Sequence, residues 1–190
     1  EWATVEFTTE AEKGTLTGQT QYEVLKGSKF SEITAPTASG NTTDDGTWYF
    51  VGWSQEFPDT VDKNYEFEAV WSLDSDEDDI PDDYEVTVTF KATNGTFADG
   101  RSSYTITGGL RNAEGNWDKN GSYTLQEADI HEVGNNPEPG YMAGSWEEEP
   151  KAGITKVTSK GAAFTYHYAK NATEWATVEF TTEAEKGTLT

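Results

Sequence analysis

The 190-residue chain carries 35 acidic against 13 basic residues, a net charge of −22 that excludes nucleic acid and anionic membrane surfaces as partners, since both demand clustered Lys and Arg. It contains no Cys, so disulfides and thiolate metal sites are excluded, and no apolar run approaches the roughly 20 residues that cross a bilayer as a helix. Hydrophobic residues make up 34% and aromatic residues 13%; a core carried by Trp, Tyr and Phe, set among Thr and Gly, predicts a mostly β protein.

In chain order, Ala3, Val5 and Phe7 alternate with Thr4, Glu6 and Thr8, the period of a half-buried strand. Gly14 is expected to turn the chain through positive φ. Tyr65, Phe67, Ala69 and Trp71 alternate with Glu66, Glu68 and Val70 in a second strand. After an acidic stretch, Val86, Val88 and Phe90 open a third strand; Asn94-Gly95 and Asn120-Gly121 read as tight turns. Thr124-Leu-Gln-Glu127 has capping-box spacing and predicts one short helix through Glu132. Phe164, Tyr166 and Tyr168 close the series as a last alternating strand.

Two levels of repetition organise these elements. Residues 1–17, EWATVEFTTEAEKGTLT, recur without substitution at 174–190, a period of 173 residues (174 minus 1). The chain therefore reads as one unit of a tandem array followed by the start of the next. Within the unit, Thr4-Val-Glu-Phe7 is echoed by Thr87-Val-Thr-Phe90, Lys13-Gly-Thr-Leu16 by Asn94-Gly-Thr-Phe97, and Tyr49-Phe-Val-Gly-Trp-Ser54 by Tyr141-Met-Ala-Gly-Ser-Trp146. Two related modules, 1–72 and 86–173, follow, joined by an acidic linker at 73–85. Residues 174–190 start a further copy. They are expected to pack on the end of the preceding module or to pair as strands between copies.

The order V-x-F, G-T, proline, Y-x-x-G-W and Y-x-F-x-A-x-W resembles the InlB B-repeat (Listeria–Bacteroides repeat) family of bacterial surface modules. The second module is similar to the partner domain that often follows it in Firmicutes repeat proteins, through Asn136, Pro137, Gly140, Tyr141, Gly144, Ser145 and Trp146. The resemblance implies small β-grasp-like α+β modules in an elongated stalk or adhesin at the bacterial cell surface or wall, without catalytic residues. Its first module departs from the pattern in an insertion-like segment, Ser39 to Gly46.

The linker carries the clearest chemistry. Counting Asp74 as position 1, carboxylates fall at positions 1, 3, 5, 9 and 12, which are Asp74, Asp76, Asp78, Asp82 and Glu85, while Ile80 at position 7 can offer its carbonyl. That is the ligand spacing of a twelve-residue calcium loop, and calcium would neutralise the repulsion among its acids. Position 6, a glycine in such loops, is Asp79; Asp enters the left-handed region more readily than most residues, at a cost on the order of 1 kcal/mol. Affinity in the extracellular range, about 0.1 to 1 mM, is expected. The competing reading is a solvated acidic spacer.

Elsewhere the chemistry is sparse. His131 and His167 are far apart in sequence, and no P-loop, G-x-S-x-G or dinucleotide fingerprint occurs, so no enzyme is expected. Trp48 and Trp117, in polar surroundings, either cover module edges or contact a glycan or host protein.

Overall fold

The computed structural model describes residues 1–176 and Val178. Apart from 174–176 and Val178, the segment 174–190 on which strand pairing is expected lies outside the described residues. The chain forms two compact units. One comprises Glu1–Thr87, Thr107–Thr124 and Lys156–Gly161; the other comprises Val88–Ile106, Leu125–Thr155 and the chain from Ala162. About half of the chain is strand. Among the described residues no helix is long and apolar enough to cross a membrane.

The first nine strands are β1 (Trp2–Thr8), β2 (Gly14–Thr17), β3 (Gln21–Leu25), β4 (Ser28–Lys29), β5 (Thr37–Gly40), β6 (Thr42–Thr43), β7 (Gly46–Trp53), β8 (Thr60–Val61) and β9 (Tyr65–Asp74). Five of them make a sheet in the order β3-β1-β9-β7-β6. Its central pair, β1 and β9, is parallel, whereas β3 and β7 flank that pair antiparallel. Alternation decides which face is covered: Ala3, Val5, Phe7, Phe67, Ala69 and Trp71 are buried while Glu6, Glu66, Glu68 and Val70 face solvent. A 3-10 turn at Phe30–Glu32 lays Phe30 over Phe67, ring centroids 5.3 Å apart. The insertion-like segment from Ser39 continues β5 and then folds as a small ladder, β6 against the start of β7.

The remaining strands are β10 (Glu85–Thr93), β11 (Gly95–Thr96), β12 (Ser103–Gly109), β13 (Tyr123–Thr124), β14 (Asn136–Pro137), β15 (Tyr141–Trp146), β16 (Lys156–Val157) and β17 (Ala162–Lys170). A second sheet runs β12-β10-β17-β15, again with its first and last strands, β10 and β17, as a parallel central pair. The core geometry repeats as well. Phe7 stacks on Phe67 at 5.4 Å and 26°, and Phe90 stacks on Phe164 at 5.5 Å and 29°. Trp53 stands edge-on to Phe7, as Trp146 does to Phe90. β7 and β15 each carry one residue more than the strand they pair with and take it up in an irregularity, between Phe50 and Gly52 and between Met142 and Ser145.

Two local expectations are corrected. The helix expected from Thr124 through Glu132 is absent, and so is the α part of the expected α+β class: among the described residues helical structure is limited to 3-10 turns at Phe30–Glu32, Asp82–Tyr84 and Glu127–Asp129. Thr124 is held extended by pairing with Lys156, and Leu125, fully buried, donates its N–H to the Thr155 carbonyl at 3.0 Å. With those backbone groups already satisfied, tertiary pairing overrides the capping signal. The turn starts two residues later, with the Gln126 N–H donating to the Asp129 carboxylate at 2.7 Å.

Gly14 and Gly95 do not supply positive φ. In the second case Asn94 does, at 61°. Both glycines instead let an aromatic ring lie on the backbone: a Cβ at Gly14 would fall 2.2 Å from the Trp71 ring, and one at Gly95 would fall 2.6 Å from the Tyr168 ring. Trp71 and Tyr168 occupy the same position relative to Phe67 and Phe164, so the two units share this contact. Gly121 also has no positive φ; its turn closes through its N–H to the Asp118 carbonyl, and a Cβ there would strike the Arg111 carbonyl at 2.2 Å.

Candidate metal site

The acidic segment runs from the last residue of β9, Asp74, to the first of β10, Glu85. Both flanks are strands, as expected. Asp74 is only 1% exposed, and its carboxylate closes the loop by accepting the Asp78 N–H at 3.3 Å on Oδ1 and the Asp79 N–H at 3.0 Å on Oδ2. Asp78 Oδ1 accepts the Ile80 N–H at 2.9 Å, and Asp82 Oδ1 reaches back to the Ser75 N–H at 2.8 Å. Asp79 adopts the left-handed conformation, φ 68°, that position 6 requires; Glu77 does so too, at 61°. The 3-10 turn at Asp82–Tyr84 then delivers Asp82 and Glu85 to the same region.

Carboxylate oxygens of Asp74, Asp76 and Asp78 lie within 4.8 Å of one another, and so do those of Asp76, Asp82 and Glu85. Asp76 belongs to both groups and so links two three-acid clusters that together contain all five acids expected as ligands. They could hold a metal ion. Oxygen-only donors at this density suit a hard cation such as calcium, which accepts six to eight oxygens in flexible geometry. Ile80, the expected carbonyl donor, is tied into the loop by its N–H bond to Asp78.

Electrostatics agrees with that chemistry. The Asp78 carboxyl is raised above its ordinary 3.8, chiefly by burial, with the Asp76, Asp74 and Asp79 charges adding to it against the Ile80 N–H. Glu85 is raised above 4.5, first by burial and then by Asp76, Asp78, Asp82 and Asp74. Both groups would hold a proton more tightly than free carboxylates, which is how a site short of positive charge behaves. Tyr49, from β7, donates its hydroxyl to Asp79 Oδ1 at 3.0 Å; burial and this bond raise its pKa. Nothing in the local spacing signals Tyr49, which lies 30 residues away in the chain.

No family model, characterised protein or solved structure matches this chain.

The two tryptophans singled out from sequence have different settings. Trp48 is in strand β7 and not in a loop; it pairs with Leu73, and Lys13 Nζ lies 5.1 Å from its ring centroid. Trp117 is half-buried, with the Arg111 guanidinium 3.4 Å above its ring and Tyr84 5.9 Å away. A cleft of about 680 Å³ beside it is lined by Phe50, Trp53, Glu56, Arg111, Asn112 and Trp117 among others.

Neither histidine joins a metal-ligating cluster among the described residues. His167 is exposed, with Nδ1 2.9 Å from Thr93 Oγ1. His131 instead completes a clamp that sequence reading missed: Asp99 Oδ2 is 2.6 Å from Arg101 and 2.8 Å from His131, and the imidazole stacks on Tyr104 at 4.1 Å. Hydrogen bonds from Arg101, before all other causes, hold the Asp99 carboxyl far below 3.8. Because its folded value is depressed, this group's stabilising contribution is present above 3.8 and is lost as pH falls through the folded value. Thermal unfolding of Asp99→Asn is therefore expected below wild type at pH 7, with the gap closing as pH drops below 3.8; a gap that stays constant with pH would contradict the linkage.

Proposed function

We propose that this chain is a non-enzymatic repeat unit of an extracellular bacterial surface protein, a stalk or adhesin spacer built from β-grasp-like modules and stiffened by calcium at the 74–85 loop. The observation carrying the reading is the pair of carboxylate clusters, Asp74 with Asp76 and Asp78, and Asp76 with Asp82 and Glu85, in one short segment between two strands. With calcium, that segment fixes the path of the chain from β9 into β10. Without it, clustered negative charge favours looser conformations. Two further features support the reading: the 17-residue sequence repeated at a period of 173 (174 minus 1), and the twice-used sheet order with a parallel central pair. Neighbouring repeats of the same chain are then the first partners. Small-angle scattering in millimolar calcium and in excess chelator tests it: the radius of gyration is expected to rise or the profile to broaden when calcium is removed, and identical profiles would defeat the stiffening role.

A second reading rests on the cleft beside Trp117. Its mixed aromatic and Arg lining would suit a glycan or a host protein segment. Binding to a glycan panel that is lost in Trp117→Ala would favour it.

A further inference from the structure

The N-P-x-x-G-Y segment at 136–141 plays no part in the metal site, yet the chain returns to it. Four residues, 171–174, separate the end of β17 from Trp175. The Trp175 indole N–H donates to the Gly140 carbonyl at 2.6 Å, and its ring meets Tyr141 edge-on at 5.7 Å. Lys170 Nζ lies 4.7 Å from the centroid of the same ring. Glu174 is held beside it: its Oε2 accepts the Gly140 N–H at 3.1 Å and its Oε1 the Asn171 side-chain amide at 2.9 Å. Asn171 in turn donates its backbone N–H to the Gly140 carbonyl at 2.9 Å and accepts from Thr173 on Oδ1. Gly140 has φ 84°, and a Cβ on it would fall 2.9 Å from the indole nitrogen. The seat is thus shaped to this indole in both backbone conformation and space.

Glu174 and Trp175 are the first two residues of the repeated sequence, the counterparts of Glu1 and Trp2. At the head of the chain the same pair behaves differently. Trp2 is 67% exposed, against 48% for Trp175, although its backbone is already committed to β1 by pairing with Leu25. The Glu1 carbonyl accepts the Lys26 N–H at 2.9 Å, and its carboxylate pairs with Lys26 Nζ at 2.5 Å. At the head of the chain, backbone and side chain therefore serve separate ends: the backbone is committed to the first sheet, while the Trp2 ring stays exposed and Glu1 is held only by a surface ion pair with Lys26.

We propose that Glu174 and Trp175, seated on Gly140, Tyr141, Lys170 and Asn171, form the joint by which each unit docks onto the one before it, and that Glu1 and Trp2 are the surface a preceding copy of this chain covers. In the joint the glutamate carboxylate exchanges its Lys26 partner for the Gly140 N–H and the Asn171 amide. The inference rests on the array reading but not on calcium.

Indole N–H exchange with solvent, followed by NMR in excess chelator, tests it. The Trp2 and Trp175 signals are assigned with Trp2→Phe and Trp175→Phe. In the 190-residue chain Trp175 is expected to exchange about five- to tenfold more slowly than Trp2, the protection of one modest hydrogen bond, and Glu174→Ala should speed it. In a chain of two successive units, the Trp at the internal junction should share the slow rate. Equal rates for Trp2 and Trp175, or a junction Trp as fast as Trp2, would overturn the joint. Slow exchange at the junction in a chain whose scattering ignores calcium would sustain the joint and remove only the metal's role.

Discussion

Calcium titration is expected to reveal saturable binding with a dissociation constant of about 0.1 to 1 mM, lost when Asp76→Ala and Asp78→Ala are combined. Asp76 is the decisive residue because its carboxylate belongs to both groups of acids. At 10 mM calcium such affinities stabilise the folded loop by about 1.4 to 2.7 kcal/mol through mass action. For a chain of this size that shifts the melting temperature of the unit holding the loop by about 3 to 10 °C. A thermal scan with calcium and with chelator reads this directly; no shift at 10 mM in the wild type, or an equal shift in the double variant, would leave the segment a solvated acidic spacer.

The same site has a pH signature whose sign follows from its raised carboxyls. The folded values of Asp78 and Glu85 exceed their ordinary 3.8 and 4.5. Without metal, their contribution to stability is therefore fully present below those ordinary values and is lost as pH rises through the folded ones. Above that window the loop carries its charges unrelieved. Calcium and protons compete for the same oxygens, so the stabilisation by calcium should be largest near neutral pH and shrink as pH falls toward 5 and below. Carboxyl carbon shifts of Asp78 and Glu85 should titrate above ordinary values in chelator and below them in calcium.

What could be read in advance from the chain depended on how far apart the partners lie. Alternation at Ala3, Val5 and Phe7 or at Phe164, Tyr166 and Tyr168 is local, and each of these residues is buried as the pattern implied. The metal-ligand spacing is also local, twelve residues long, and even the left-handed conformation of Asp79 follows from its place in that count. Gly14 was legible only as an oddity: its reason, the Trp71 ring, is 57 residues away (71 minus 14) and becomes visible once β9 lies beside β1. The helix expected at Thr124 failed for a like cause, since its competitor, Lys156, is a distant strand partner. Tyr49 on Asp79 and the Asp99, Arg101 and His131 clamp likewise depend on contacts that no short window contains.

Replacing Phe67 with Ala should cost about 3 to 5 kcal/mol, the usual penalty for emptying a phenyl site in a packed core. Its ring is fully buried, with Phe7, Phe30, Phe57 and Tyr65 at centroid distances of 5.4, 5.3, 4.9 and 5.8 Å. So many rigid aromatic neighbours cannot collapse into the space, which places the loss toward the upper end. Phe164→Ala, the counterpart on β17, removes the ring stacked on Phe90 and should cost somewhat less, nearer about 3 kcal/mol. Val70→Ala is the internal control: it lies on the same strand as Phe67 but 40% exposed on the other face, and should cost under about 1 kcal/mol. Urea denaturation followed by Trp fluorescence gives the three values. Amide exchange then localises them, with protection falling in β1 and β9 for Phe67→Ala and in β10 and β17 for Phe164→Ala. Because the two phenylalanines hold equivalent positions in two sheets that share the order of four strands, a loss below about 1 kcal/mol at either would break the equivalence proposed for the two modules.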